Sequence, residues 1–281
     1  MKEIANNVFM ENGFAGVTLG AVLTPQGVIM IDAPLYAKDF QSWRTTLTKS
    51  GSGMERLLVV LDEHYDRTIG THPIRFSIIA HEKTVESIAS RHSNVRMPVS
   101  LTGSEWEDLI DLNPLHWINP EITFSSKMSI EWGNDPVMLE FHPGPTEGSI
   151  WVILPKHKVA FVGDAVTPSQ PPFLASANID VWIETLNALK LAEFREYLII
   201  SGRGGLATKD DIKMQIKFLK TVNRKLKKFA SINANQEAIN KFAFDLSESF
   251  HPKNNNIRAF YETRLRFGIT QYFRNHYGST K

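Results

Sequence analysis

The apolar positions of this chain change period along its length, and the changes mark out its elements. In GVTLGAVLTPQGVIMID (16–32), two β-branched runs flank Pro25, Gln26 and Gly27, the punctuation of a hairpin. Beyond Pro34, Phe40, Trp43 and Leu47 recur on one helical face, and RLLVVL (56–61) returns to a buried strand. SIIAHEKTVESIASR (77–91) repeats the scheme, a short strand followed by a helix from Glu82 to Arg91. This βαβα rhythm predicts sheet strands covered by helices.

Residues 92–121 lose the rhythm. Two Asn-Pro steps break helices there, so the segment reads as a loop with short helical turns. From 122 to 163, ITFSS, MSIEW, VMLEF, SIWVIL and KVAFVG predict further strands. A helix over IDVWIETLNALKLA and a strand at EYLIIS follow, and residues 208–277 are helical in pattern. On the Lys-rich stretch 213–228, Ile216, Phe218, Leu219, Val222 and Leu226 supply the core side and the lysines a solvated one. The chain contains no internal repeat and no low-complexity linker. We therefore expect residues 1–207 to form one domain and 208–281 a helical extension packed on it. Phe260, Tyr261, Phe267, Tyr272 and Phe273 of that extension could pack internally or against a partner, and the oligomeric state stays open.

Composition narrows the classes. With 281 residues and 42% apolar content, the chain can bury a sizeable core without disulfides. Lys plus Arg (31) nearly cancel Asp plus Glu (30), so no overall field recruits nucleic acid. Cysteine is absent, which removes thiolate nucleophiles and Cys-bound zinc and leaves His and carboxylates as the strong metal ligands. The N-terminus lacks the long apolar run of a signal peptide, and no stretch is apolar enough to span a bilayer. A cytoplasmic protein without a membrane partner is expected.

Candidate chemistry gathers where strands end, the usual location of ligand sites in α/β folds. VVLDEHYDRTIG (59–70) places Asp62, Glu63, His64, Asp66 and Arg67 within six positions. HPGPTEGS (142–149), GDAV (163–166) and SGRGG (201–205) follow in order. Over roughly residues 7–205, these four elements together resemble the metallo-β-lactamase superfamily. There a strand ends in His-x-His-x-Asp-His-x-Gly-Gly, followed by a Pro-Gly-His-Thr-x-Gly-Ser turn, a Gly-Asp and a Gly-His-Gly. The resemblance implies an α/β (α+β) fold, a four-layer αββα sandwich with extra C-terminal helices, and a one- or two-metal centre between its sheets.

The ligand positions depart from that pattern. Asp62 stands for the first histidine, His64 and Asp66 are retained, and Arg67 stands for the third histidine. Pro145 occupies the ligand position before Thr146, Asp164 keeps the bridging aspartate, and Arg203 replaces the last histidine. Three of the seven usual ligands remain. A guanidinium has no lone pair to offer a metal. The resemblance thus implies an empty second site, with Arg67 and Arg203 supplying the missing charge beside Asp66 and Asp164. At most one Zn, Fe or Mn ion would sit on Asp62, His64 and Asp164, with none as the alternative.

On this reading the chain would be a hydrolase of an ester, lactone or thioester. The metal would activate water, Asp66 would orient or deprotonate it, and Arg67 and Arg203 would bind an anionic group or a developing oxyanion. The competing expectation is a non-catalytic member of the fold, with an Arg/Asp salt-bridge network or a small-anion site. In both cases the partner is a small molecule or anion. Pro171 and Phe173 are expected to line its pocket, with His142 stacked beneath the site or reaching into it. Thr146 and Ser149 lack an adjacent base and are assigned to the turn. His72, His81, His116 and His157 fall on expected surface elements and receive no role.

Overall fold

A computed structural model describes residues 1–50, 53–70, 74–91, 102–108, 116–133, 135–252 and 255–278. Alternation along the strands decides which layer each side chain joins. The first sheet contains β1 (Lys2–Ala5), β2 (Val8–Glu11), β3 (Leu19–Leu23), β4 (Gly27–Ile31), β5 (Glu55–Val59), β7 (Ser77–His81) and β9 (Ile122–Phe124), side by side in that order. The second runs β10 (Lys127–Ile130), β11 (Val137–Phe141), β12 (Ile150–Leu154), β13 (Val159–Phe161), β14 (Leu198–Ser201) and β15 (Gly205–Ala207). A small ribbon pairs β6 (Ile69–Gly70) with β8 (His116–Trp117). The expected hairpin is β3–β4, with Gly20 opposite Ile31, and β4, β5, β7 and β9 pair in parallel.

Ile150, Val152 and Leu154 of β12 join Ile29, Ile31, Leu57 and Val59 in an apolar layer between the sheets. Trp151 and Ile153 of the same strand face a helical layer made by α4 (Ile179–Ala188), α5 (Lys209–Ser231), α6 (Gln236–Ser247) and α7 (Asn255–Tyr277). On the far side, Val28, Met30 and Leu58 pack under Phe40, Trp43 and Leu47 of α1 (Ala37–Ser50). α3 (Glu82–Arg91) follows β7 directly. The order helix, sheet, sheet, helix is the expected four-layer sandwich. Each fully buried large side chain stabilises it by about 1.5–3 kcal/mol.

Residues on both sides of position 207 share one core: Trp182 of α4 packs in the same cluster as Leu219 of α5 and Leu265 of α7. Tyr261 and Tyr272 are buried and Phe273 packs on that cluster, so these aromatics serve the chain's own core. Among the described residues no helix is long and apolar enough to cross a membrane.

Several expectations need correction. β1 and β2 went unread because four residues give too few periods, and Asn7, at φ 60°, turns between them. His81, expected at the surface, is 1% exposed. Its ring stacks on Phe141 at 4.1 Å, Nε2 lies 3.0 Å from the Ser125 carbonyl, and Nδ1 accepts from the Lys83 amide at 3.1 Å. It therefore ties the end of one sheet to the next. Of the loop at 92–121, residues 92–101 and 109–115 lie outside the described residues, as does His72.

Candidate functional site

The centre is assembled at the ends of β4, which leads into Asp32, and of β5, β13 and β14. After β5 the chain runs through Val60 and Leu61 to Asp62, whose Oδ1 accepts the His64 amide at 3.0 Å and faces His64 Nδ1 at 2.9 Å. His64 leads into the single turn α2 (Tyr65–Thr68), which carries Asp66 and Arg67. Asp164 sits in a tight turn after β13, entered by Gly163 at φ 56°. Arg203 follows β14, its amide donating to Ser201 Oγ at 3.0 Å. Gly202 brings the two segments together by donating to the Gly163 carbonyl at 2.7 Å.

These residues interlock through guanidinium forks. Arg67 Nη1 donates to Asp62 Oδ2 at 2.6 Å, and Nη2 to Asp164 Oδ1 at 2.8 Å. Its Nε faces Asp32 Oδ2 at 3.4 Å, an ion pair without a hydrogen bond. Arg203 Nε donates to Asp164 Oδ2 at 2.8 Å. Its Nη2 donates to Asp66 Oδ1 at 2.9 Å and its Nη1 to Asp66 Oδ2, completing a bidentate pair. Asp164 thus bridges two guanidiniums.

Burial gives these contacts their weight. Arg67 is 0% exposed, and Asp32, Asp62, Asp66, Asp164 and Arg203 are at most 2% exposed. Burial alone would raise the Asp62 carboxyl, but Arg67 and His64 outweigh it and hold the pKa below the ordinary value. The same contest is won more decisively at Asp164, where Arg203 and Arg67 hold the carboxyl far below the usual range. Burial would lower His64, but the carboxylates of Asp62 and Asp164 raise it. At Asp32 burial dominates, Arg67 offsets it only in part, and the pKa is pushed up to about 7. Below about pH 7, with Asp32 protonated and His64 charged, the carboxylates Asp62, Asp66 and Asp164 face three cations, Arg67, Arg203 and His64. The cluster is then neutral within itself.

Asp62, His64 and Asp164 each offer a ligand atom within 4.8 Å of the others, which makes them a candidate metal-binding triad. Every carboxylate oxygen of that triad also accepts a hydrogen bond. Asp62 is bonded on both oxygens, by His64 and by Arg67, and Asp164 on both, by Arg67 and by Arg203.

A cavity of 320 Å³ opens beside the centre. His64, Asp66, Thr102, Phe173, Phe267 and Asn275 are among its lining residues. Two guanidiniums lie over the Phe173 ring, Arg203 at 4.6 Å and Arg264 at 4.1 Å from its centroid, and the His64 ring is 5.3 Å away. The other expected wall residues lie elsewhere. Pro171 accepts from Arg264 Nη1 through its carbonyl at 3.0 Å and does not line this cavity. His142 neither lines it nor lies beneath the centre: its ring stacks on Trp151 at 3.6 Å, and burial lowers its pKa to about 4.

Sequence reasoning missed two members of this assembly. Asp32 passed for the end of a strand, although its positive φ of 56° aims it at Leu61 N, 3.0 Å away. Arg264, on α7, offered no signal, since an Arg among helical aromatics reads as a solvated position.

Residues 63–203, about half of the chain, match the sequence profile of the metallo-β-lactamase superfamily, and the chain belongs to that superfamily. No curated protein matches it in sequence. A metallo-β-lactamase from Pontibacter korlensis superposes with a TM-score of 0.61 at 16% identity, over 78% of this chain and 97% of the other. One from Erythrobacter litoralis gives 0.58 at 16% identity, over 78% and 95%. A double mutant of the sec-alkyl sulfatase PisA1 gives 0.67 at 10% identity, covering 99% of this chain and 50% of the other. At such identities the likeness is one of fold.

Proposed function

We propose that this chain is a metal-independent member of the superfamily, in which two guanidiniums replace the cations and the adjoining cavity binds a small organic anion. One observation carries the reading: Arg67, wholly buried, spans Asp62 and Asp164 with a single guanidinium. A divalent ion on the triad would have to displace that fork and then sit against a permanent cation. The donor set does not suit a metal, because its carboxylate oxygens already accept charge-assisted hydrogen bonds and its charges already cancel. Among the described residues that line the cavity His64 is the cation, with 16% of its side chain exposed, and it stands beside the carboxyl groups of Glu63 and Asp66. Phe173 and Phe267 give an organic body an aromatic wall, while the Thr102 hydroxyl and the Asn275 amide can orient it.

The rival reading, a mononuclear hydrolase with Asp66, Arg67 and Arg203 in catalytic roles, draws on the 4.8 Å triad. Elemental analysis of untagged protein, with Asp164→Ala beside it, separates the two. Metal well below one equivalent in both is expected, together with saturable shifts of the His64 ring resonances on titration with benzoate. Near-stoichiometric Zn, Fe or Mn that disappears in Asp164→Ala would reinstate the hydrolase.

A further inference from the structure

The solvent face of α5 carries charge of one sign. Lys213, Lys217, Lys220, Arg224 and Lys228 succeed one another at intervals of three or four residues, so they form a single stripe, and all five are exposed. At a rise of about 1.5 Å per residue the stripe is about 22 Å long. Eight residues of α5 are basic and two acidic, whereas the whole chain carries a net charge of only +1, so the stripe is a local feature. Among the described residues the ion pairs of α5 are Lys213 with Asp210 at 2.9 Å and Lys227 with Asp180 at 3.3 Å. Lys217, Lys220, Arg224 and Lys228 have no carboxylate partner among those residues. A face that needs only solvation mixes its signs, because opposite charges three or four residues apart support a helix and like charges oppose it. Here every neighbouring pair repels. Two apolar side chains stand on one edge of the stripe: Met214 is 59% exposed, and Ile232, which closes α5 about five turns later, is 60% exposed.

We propose that α5 docks the chain on an anionic membrane surface, with the basic stripe on lipid phosphates and Met214 and Ile232 in the interfacial layer. Charge complementarity requires a polyanion, and the two apolar side chains choose among polyanions. The phosphate backbone of a nucleic acid gives an exposed Met and Ile nothing to bury against, whereas a bilayer interface takes up basic heads and apolar side chains together. The headgroups also answer the like charges that repel one another along the helix. Contact is peripheral, since among the described residues no helix is long and apolar enough to cross a membrane. The stripe lies opposite Leu219, Val222 and Leu226, through which α5 packs on the core, so docking requires no rearrangement of the fold. It is also independent of the anion cavity, which no residue of α5 lines.

Sedimentation of the full chain with vesicles tests the docking. Vesicles of equal parts phosphatidylcholine and phosphatidylglycerol should carry the protein down, phosphatidylcholine alone should not, and the bound fraction should fall as salt rises. Each cation near such a surface contributes about a factor of five, so Lys217→Glu, Lys220→Glu and Arg224→Glu combined should weaken partitioning by about a hundredfold or more. All three positions are exposed, and the new glutamates face lysines three or four residues away. The melting temperature should therefore stay unchanged or rise, which separates lost binding from lost folding. Met214→Ser combined with Ile232→Ser should weaken partitioning about tenfold and leave its salt dependence as it was. Equal sedimentation with both kinds of vesicle, or native affinity in either combined variant, would overturn the proposal. Tighter binding to a mixed-sequence DNA duplex than to the anionic vesicles, at equal phosphate and salt, would overturn it too and assign the stripe to nucleic acid.

Discussion

Arg67→Ala tests the centre most directly. The substitution removes the bonds to Asp62 and Asp164 but leaves His64 on Asp62 and Arg203 on Asp164. The neutral cluster then carries one excess buried negative charge, and its cheapest escape is to take up one proton. For a carboxyl of ordinary pKa about 4, three pH units at about 1.4 kcal/mol each make that cost about 4 kcal/mol at pH 7. At pH 5 the cost falls to about 1.4 kcal/mol. Taking about 2–4 °C per kcal/mol, the melting temperature should drop by about 8–16 °C at pH 7 and by about 3–6 °C at pH 5. The pH dependence has a definite sign. Asp62 and Asp164 are depressed in the native protein, so their stabilisation is present above the unfolded pKa and is lost only as pH falls through the folded values. In the variant a buried carboxyl is raised instead, which penalises it as pH rises. Scanning calorimetry of both proteins at pH 5, 6 and 7 reads the gap between them. A gap that does not widen with pH, or one under about 3 °C at pH 7, would refute the argument that this guanidinium balances the cluster.

Three further outcomes follow from the same geometry. Arg67→His restores an imidazole where the superfamily pattern has one. Zinc at about 100 times its Kd should then raise stability by about 2.7 kcal/mol in the variant, while EDTA and zinc leave the native protein's melting temperature unmoved. Asp32, at about 7, is raised above its unfolded value, so its contribution is fully present below about pH 4 and lost as pH rises through 7. Urea unfolding should therefore show the native protein losing stability relative to Asp32→Asn between pH 4 and 8, and parallel curves would count against the raised value. A Cβ on Gly202 would lie 2.7 Å from Arg67 Nη2 and 3.0 Å from Asp164 Oδ1. Gly202→Ala should accordingly cost about 1–3 kcal/mol in urea unfolding through displacement of the fork.

The parts of the centre legible in the sequence were those fixed by register. Asp62, His64, Asp66 and Arg67 occupy set positions after a strand, and Asp164 and Arg203 each follow another, so their meeting could be expected before their bonds were known. The direction of those bonds could not. Whether two guanidiniums leave room for a cation depends on side-chain geometry, which the sequence does not carry. Asp32 and Arg264 were hidden for a different reason: each is one polar residue in an otherwise regular element, and only packing reveals which way it faces. His142 and His81 were misplaced because a lone histidine in a sequence does not declare whether it is buried. Most strands and helices were legible from alternation and period, except β1, β2 and the two-residue strands β6 and β8, where short length gives periodicity too little to act on, while the four-layer sandwich was implied only by the resemblance to the superfamily.

The ring of Phe173 carries both Arg203 and Arg264. Two cations gathered on one ring repel each other, and the negative quadrupole of the aromatic ring attracts both, so the three positions are coupled. Losing the ring would remove the aromatic partner of both guanidiniums, and losing Arg264 would remove the bonds by which α7 braces Gln170 and Pro171. A lineage that exchanged its metals for arginines would therefore be expected to inherit these residues as a set. Arg67, Phe173, Arg203 and Arg264 form a four-position signature, spread from the catalytic loop of the ancestral pattern to the last helix. Chains carrying it would be recognisable as bearers of the same centre even where the rest of the sequence has drifted.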